Sequence, residues 1–237
     1  MDTKNDVQED ILIINEFKAF LQNKEFPCVA AKAALEKSHI KFFIAEHIAC
    51  PSNDPEIINF LNDFTKEYRN SDSKFHSAVV LYREPKEITE DMFDMFLWKR
   101  LQALSDLDSK VNDYDKRVNT DPSSPEFSFS INEEAFFVIG LNPGSSRPAR
   151  KFKYPALVFN PHSQFEELRI KQQYEKMKSI VRKKDLVYSG SINPMLQDYG
   201  SRSEAFQYSG KQYDSSWKCP LKIHNRTKKF DANNSAA

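Results

Sequence analysis

Glycine and cysteine are scarce in this chain of 237 residues, with 5 and 3 copies. No glycine falls into G-x-G-x-x-G or G-x-x-x-x-G-K-[ST], so the dinucleotide and P-loop phosphate cradles have no sequence basis here. Cys28, Cys50 and Cys219 are an odd number at wide spacing, which argues against a disulfide framework and a closed Cys-rich zinc site. Charge of either sign in excess is also missing. The 34 basic and 34 acidic side chains cancel, so no broad positive field draws in a phosphate polymer, and no nucleic-acid partner is expected. Apolar runs such as A-F-F-V-I-G-L (Ala135 to Leu141) fall far short of the ~20 residues a bilayer demands, so no membrane span is expected. The N-terminus, M-D-T-K-N-D-V-Q-E-D, is polar and acidic where a secretory signal would be basic and then apolar, which predicts a cytoplasmic location.

Aromatic residues are plentiful instead. Nineteen Phe and 9 Tyr predict a bulky interior, able to enclose a flat apolar cofactor but also used in ordinary packing. The chain reads as a single α+β domain over residues 11–225, between a disordered N-terminus (1–10) and a disordered tail (226–237). Helices lead. Apolar residues recur at helical spacing from Ile11 and stop before Phe26-Pro27; a short helix spans about Cys28 to Ser38; another opens at Asp54-Pro55, with Ile57, Ile58, Leu61 and Phe64 as its stripe. Phe75 to Tyr82 reads as a strand, and Thr89 opens a long helix with Glu90 and Asp91 in its first turn. Lys116 to Pro125 is a proline-punctuated loop. Phe127 to Ile131, Phe136 to Leu141 and Ala156 to Phe159 read as strands of a mainly antiparallel sheet. After the last of these, Asn160 as cap and Pro161 at the first helical position predict one long amphipathic helix through Phe165, Leu168, Tyr174 and Met177, and Leu186 to Tyr188 a further short strand. Gly190 to Gly210 reads as a loop with one short helix.

Several residues could carry chemistry. His162, near the start of the helix after Phe159, faces the positive end of the macrodipole, which favours the neutral ring that metals bind; the bland alternative is a polar surface or capping histidine. Arg147 and Arg150 sit in the loop L-N-P-G-S-S-R-P-A-R-K-F-K-Y-P between two strands and could converge on a carboxylate, or simply face solvent. Asp198 and Glu204 could hold a cationic substrate, or be a turn-forming and a solvent-facing acid. Cys50-Pro51 and Cys219-Pro220 pose the question of a thiolate ligand to iron against that of an idle thiol beside a turn proline. Cys28 reads as a small apolar residue at a helix start, and His39, His47, His76 and His224 as structural or surface histidines.

The segment A-F-F-V-I-G-L-N-P-G-S-S-R-P-A-R-K-F-K-Y-P-A-L-V-F-N-P-H-S-Q-F-E-E-L-R (Ala135 to Arg169) resembles the signature of the YqcI/YcgG family. F-P-C-V-A-A-K-A-A-L, G-S-I-N-P-M-L, S-E-A-F-Q-Y-S-G and W-K-C-P resemble its other blocks in order, so the likeness covers nearly the whole chain. The resemblance implies a haem protein (haem b), specifically a haem-dependent monooxygenase that uses O2 and an external electron donor to hydroxylate a guanidine or amine nitrogen of a small cationic, amino-acid-like substrate. Carried onto this sequence, His162 becomes the expected iron ligand, Arg147 and Arg150 the expected propionate contacts, and Glu166 or Glu204 the expected catalytic carboxylate that holds the cation. One departure stands out: relatives often read G-L-H-P where this chain has Asn142. A non-catalytic haem sensor or carrier, with Cys219 as exchangeable ligand, is the competing reading.

Overall fold

The computed structural model describes residues 3–224, apart from 74 and 196. The tail expected over 226–237 lies outside the described residues. Helix α1 (Thr3–Gln22) begins eight residues before the Ile11 start that the apolar pattern suggests, so residues 3–10 are helical where disorder was expected. Its first turns are polar and carry little apolar signal, but Glu9 and Asp10 pair with Arg83 at 3.1 and 2.5 Å, and that anchoring stands in for apolar periodicity. Helix α2 (Val29–Glu36) follows Pro27 and is capped by Cys28, whose Sγ accepts the Ala31 N–H at 3.4 Å.

Strand β1 (Ile40–His47), a run the sequence pattern left unassigned, leads through a short turn at Pro51–Asn53 into α3 (Asp54–Arg69) and then β2 (Ser77–Glu84). Helix α4 (Glu90–Asp108) opens where Thr89 promised: its hydroxyl accepts the Met92 N–H at 3.2 Å, and Phe93, Leu97, Leu101 and Leu104 are buried along one face. β3 (Phe129–Ile131) and β4 (Glu134–Leu141) form a hairpin with Asn132 and Glu133 both at positive φ in its two-residue turn. β5 (Ala156–Pro161) completes the sheet, in order β1-β2-β5-β4-β3. β1 and β2 run parallel, joined by the crossover through α3, and the remaining pairs are antiparallel. The result is one α+β domain with a mixed, mainly antiparallel sheet.

Beyond β5 the expected long helix is two: α5 (Ser163–Ile170) and α6 (Tyr174–Ser189), broken where Gln172 takes φ +55. Asn160 and Pro161 belong to β5, paired with Phe137 and Phe136, rather than to the helix start. Leu186 to Tyr188 lies inside α6, so no strand forms there; the helical run overrides the β propensity of Val187 and Tyr188. The short α7 (Ala205–Tyr208) sits in the Gly190–Gly210 segment as expected.

Strand alternation separates two apolar clusters. Ala78, Val80, Tyr82, Leu157 and Phe159 face one side, where α3, α4, α7 and Trp217 pack. Val79, Leu81, Ala156 and Val158 face the other, against α1, α2, Phe152 and Tyr154. Each fully buried Phe or Leu of this kind contributes about 1.5–3 kcal/mol.

Candidate functional site

The second face of the sheet leaves a cavity of about 270 Å³. Its floor is Val79, Ile139 and Val158 of the sheet, its walls come from α1, α2, α5 and α6, and Tyr199 and Glu204 of the 190–207 segment border it. Most of the lining is apolar, and the polar groups are few, as in ligand pockets generally.

His162 lines this space and is 5 % exposed. It caps α5 rather than sitting in its first turn, and it is held by its backbone: its N–H donates to Ala135 O at 2.7 Å and its carbonyl accepts from Phe165 at 3.0 Å. Burial lowers its pKa to about 4, so the ring is neutral at neutral pH. Nε2 makes no hydrogen bond among the described residues and faces Oε1 of Glu204 at 3.5 Å. The Tyr199 ring covers the imidazole at 4.3 Å between centroids.

Glu204 is equally buried. Oε2 accepts the Ser128 hydroxyl at 2.9 Å, and burial raises its pKa to about 8. A carboxyl that prefers its proton stands beside an imidazole that refuses one. Such a pair offers an incoming cationic group a carboxyl that ionises on binding and a lone pair next to it.

The other expected site residues divide. Arg147 and Arg150 border the cavity, but their guanidinium groups are turned to protein partners. Arg147 pairs with buried Asp185 and donates to Ser191 O at 2.6 Å; Arg150 donates to the carbonyls of Gly140, Gln207 and Tyr208 at 3.0–3.3 Å. They tie the loop after β4 to α6 and α7, a clamping role that the loop's charge alone did not reveal. Glu166 is half exposed on the outer side of α5, paired with Arg169 at 2.8 Å, and does not border the cavity. Cys219 packs on the opposite face of the sheet, where burial pushes its thiol up to about 12, so it cannot exchange with His162 on one metal. Cys28, read from sequence as a small apolar residue, does border the cavity, half-buried at the positive end of α2. Burial raises its pKa, so the free group is a thiol. Asn142 is fully buried, and neither amide atom has a partner among the described residues; it is not part of the cavity lining. The side chain at position 142 is therefore separate from the lining of the His162 cavity. Among the described residues, no cluster of three or more His, Cys, Asp or Glu could hold a bare metal ion.

The chain is thus a mixed-sheet α+β domain with a mainly apolar cavity edged by Cys28 and by an imidazole–carboxyl pair. The family is now identifiable: the YqcI/YcgG family model matches residues 17–222, and the chain belongs to that family. It is 26 % identical over 196 residues to a Bacillus subtilis (strain 168) protein described as uncharacterized protein YqcI, a match that covers 80 % of this chain and 76 % of that one. No solved structure matches the chain. No helix among the described residues is long and apolar enough to cross a membrane.

Proposed function

We propose that this chain is a haem-dependent monooxygenase of the cytosol that hydroxylates a guanidine or amine nitrogen of a small, amino-acid-like substrate with O2 and electrons from an external donor. The observation that carries the reading is the pairing, in one apolar cavity, of a thiol with a neutral imidazole whose Nε2 is unsatisfied beside a buried carboxyl. These residues fit a flat apolar group with one coordinating side chain. Haem, when bound, supplies the O2 activation.

The chain's own groups do the rest. Cys28 is the ligand candidate we favour: it borders the cavity, and the Ala31 N–H that its sulfur accepts would offset charge on a thiolate once its proton is displaced. Glu204 stands 3.5 Å from Nε2 of His162, and on that contact we assign His162 a substrate-facing role in place of the iron-ligand role that the resemblance implies. Glu204 receives the cationic nitrogen and ionises as it does so, its proton passing to bulk water. His162, held neutral, accepts a hydrogen bond from that nitrogen.

Reconstitution with haemin tests this. A Soret band is expected that Cys28→Ala shifts or abolishes and His162→Ala retains. The reverse pattern would return the iron to His162, and protein that stays colourless with haemin supplied would remove haem from the account. A Soret band without hydroxylated product, given O2, reductant and arginine-like amines, would instead mark a carrier or sensor.

A further inference from the structure

A second charged group borders the same cavity at its outer side, and its sign is opposite to that of Glu204. Arg169, in the last turn of α5, lines the cavity with its side chain 31 % exposed, whereas Glu204 is buried at 7 %. Its guanidinium lies against two tyrosines, 4.5 Å from the Tyr174 ring centroid and 5.6 Å from that of Tyr199. Contact with two rings restricts the fork and lowers the entropy lost when it binds. Tyr199 in turn covers His162, so a line of contacts runs from the buried imidazole through Tyr199 to Arg169 and Tyr174.

Lys178 is the alternative cation in this wall, but its ammonium is already engaged by two carboxylates, Glu175 through oxygens at 2.7 and 2.8 Å and Asp198 through both oxygens at 3.1 Å. An ammonium has three donors, so Lys178 is saturated. A guanidinium has five, and the exposed Glu166 takes one of them through Nη1 at 2.8 Å. Arg169 therefore combines a restricted orientation, a place on the cavity and donors to spare, the features that suit bidentate capture of a carboxylate.

We propose that Arg169 binds the carboxylate of the substrate, so that the cavity selects an amino acid carrying a cationic side chain, its carboxylate at Arg169 and its cationic nitrogen at Glu204. The assignment rests on the preceding reading of Glu204 as the cation site and adds a second determinant to it. Arg169 is a specificity-determining residue, since it meets the end of the substrate that does not react.

Calorimetric titration of the purified full-length protein, with and without haemin, provides the test. The probes are L-arginine, L-argininamide and agmatine; the last two keep the guanidinium and lack the carboxylate. Wild-type protein should bind L-arginine ten- to a hundred-fold more tightly than either, the size of a lost charge-assisted pair. Arg169→Gln should bring L-arginine down to the level of agmatine and leave agmatine within about twofold; Arg169→Lys should restore part of the difference. Equal binding of all three by the wild type, or a preference that survives Arg169→Gln, would overturn the role of Arg169 while leaving Glu204 in place. If no probe binds, or if Glu204→Gln leaves agmatine binding unchanged, the cation site itself falls, and the assignment of Arg169 with it.

Discussion

The two faces of the sheet carry similar side chains and use them differently. On the α3–α4 face, Phe93, Leu97, Leu101, Phe129, Phe136 and Phe159 are fully buried and fill the space against the strands. At Gly140 a Cβ would meet Leu97 and Phe93 at 2.7 Å, so even a methyl group would force those side chains to shift. On the opposite face, Val79, Ile139 and Val158 look into the open cavity. Each face also holds one buried arginine–carboxylate pair: Arg100 with Asp54 on the filled side, Arg147 with Asp185 at the cavity. Arg100 bonds in addition to Ile48 O at 3.1 and 2.9 Å, locking α4 to the end of β1, while Arg147 reaches Ser191 O on the segment beside the cavity. Equal chemistry thus serves stability on one face and the shape of a binding site on the other.

Breaking the two pairs should separate these roles most clearly. Asp54→Asn strands a buried guanidinium in the filled core and is expected to lower unfolding free energy by about 3–5 kcal/mol in urea denaturation. Asp185→Asn should act locally, with faster amide exchange over residues 190–200 while the protection of β2 and β5 persists. Equal global losses from the two substitutions would refute the contrast. Packing gives the next effect in size. Gly140→Val should destabilise by about 1–3 kcal/mol, whereas Val158→Phe, growing into the cavity, should stay within about 1.5 kcal/mol of wild type and exclude haemin and the amine probes. A Val158→Phe variant that binds them normally would place the ligand elsewhere.

The sequence made the filled face legible and the open face much less so. Thr89, the stripe along α4 and the apolar strands after Phe127 each carry a local signal of cap or period, and the corresponding elements formed. β1 escaped because I-K-F-F-I-A-E-H does not alternate cleanly; as an edge strand with mostly half-buried residues it serves both faces at once. The break between α5 and α6 escaped because a glutamine, not a glycine, takes the left-handed position of a helix C-cap, where the Gln172 and Gln173 N–H groups close onto the carbonyls of Arg169 and Leu168 at 2.9 Å. His162 and Glu204 were legible as candidates, but not their contact, since 41 residues of chain lie between them and only the fold supplies the 3.5 Å. Cys28 was passed over because an apolar neighbourhood reads alike for a packed thiol and for one on a cavity wall.

The smallest effect is the pH dependence that the cavity pair writes into stability. Glu204 is raised to about 8 in the folded protein from about 4.5, so the folded state holds its proton more tightly; stability from this group is complete below about 4.5 and declines as pH rises towards 8. His162 has the opposite sign. Its folded pKa of about 4 lies below the ordinary 6.5, so stability rises with pH between those values. From about pH 4.5 to 6.5 the two slopes oppose each other, and from 6.5 to 8 the decline due to Glu204 stands alone, on the order of 1–2 kcal/mol. Denaturation profiles should therefore show that decline in the wild type and its loss in Glu204→Gln, while His162→Ala leaves it in place and steepens the slope below pH 6.5. Substitutions on the filled face should shift the whole curve without changing its shape, and a Glu204→Gln profile parallel to the wild type above pH 6.5 would show that the carboxyl ionises freely and that the pair is not buried in the way its geometry requires.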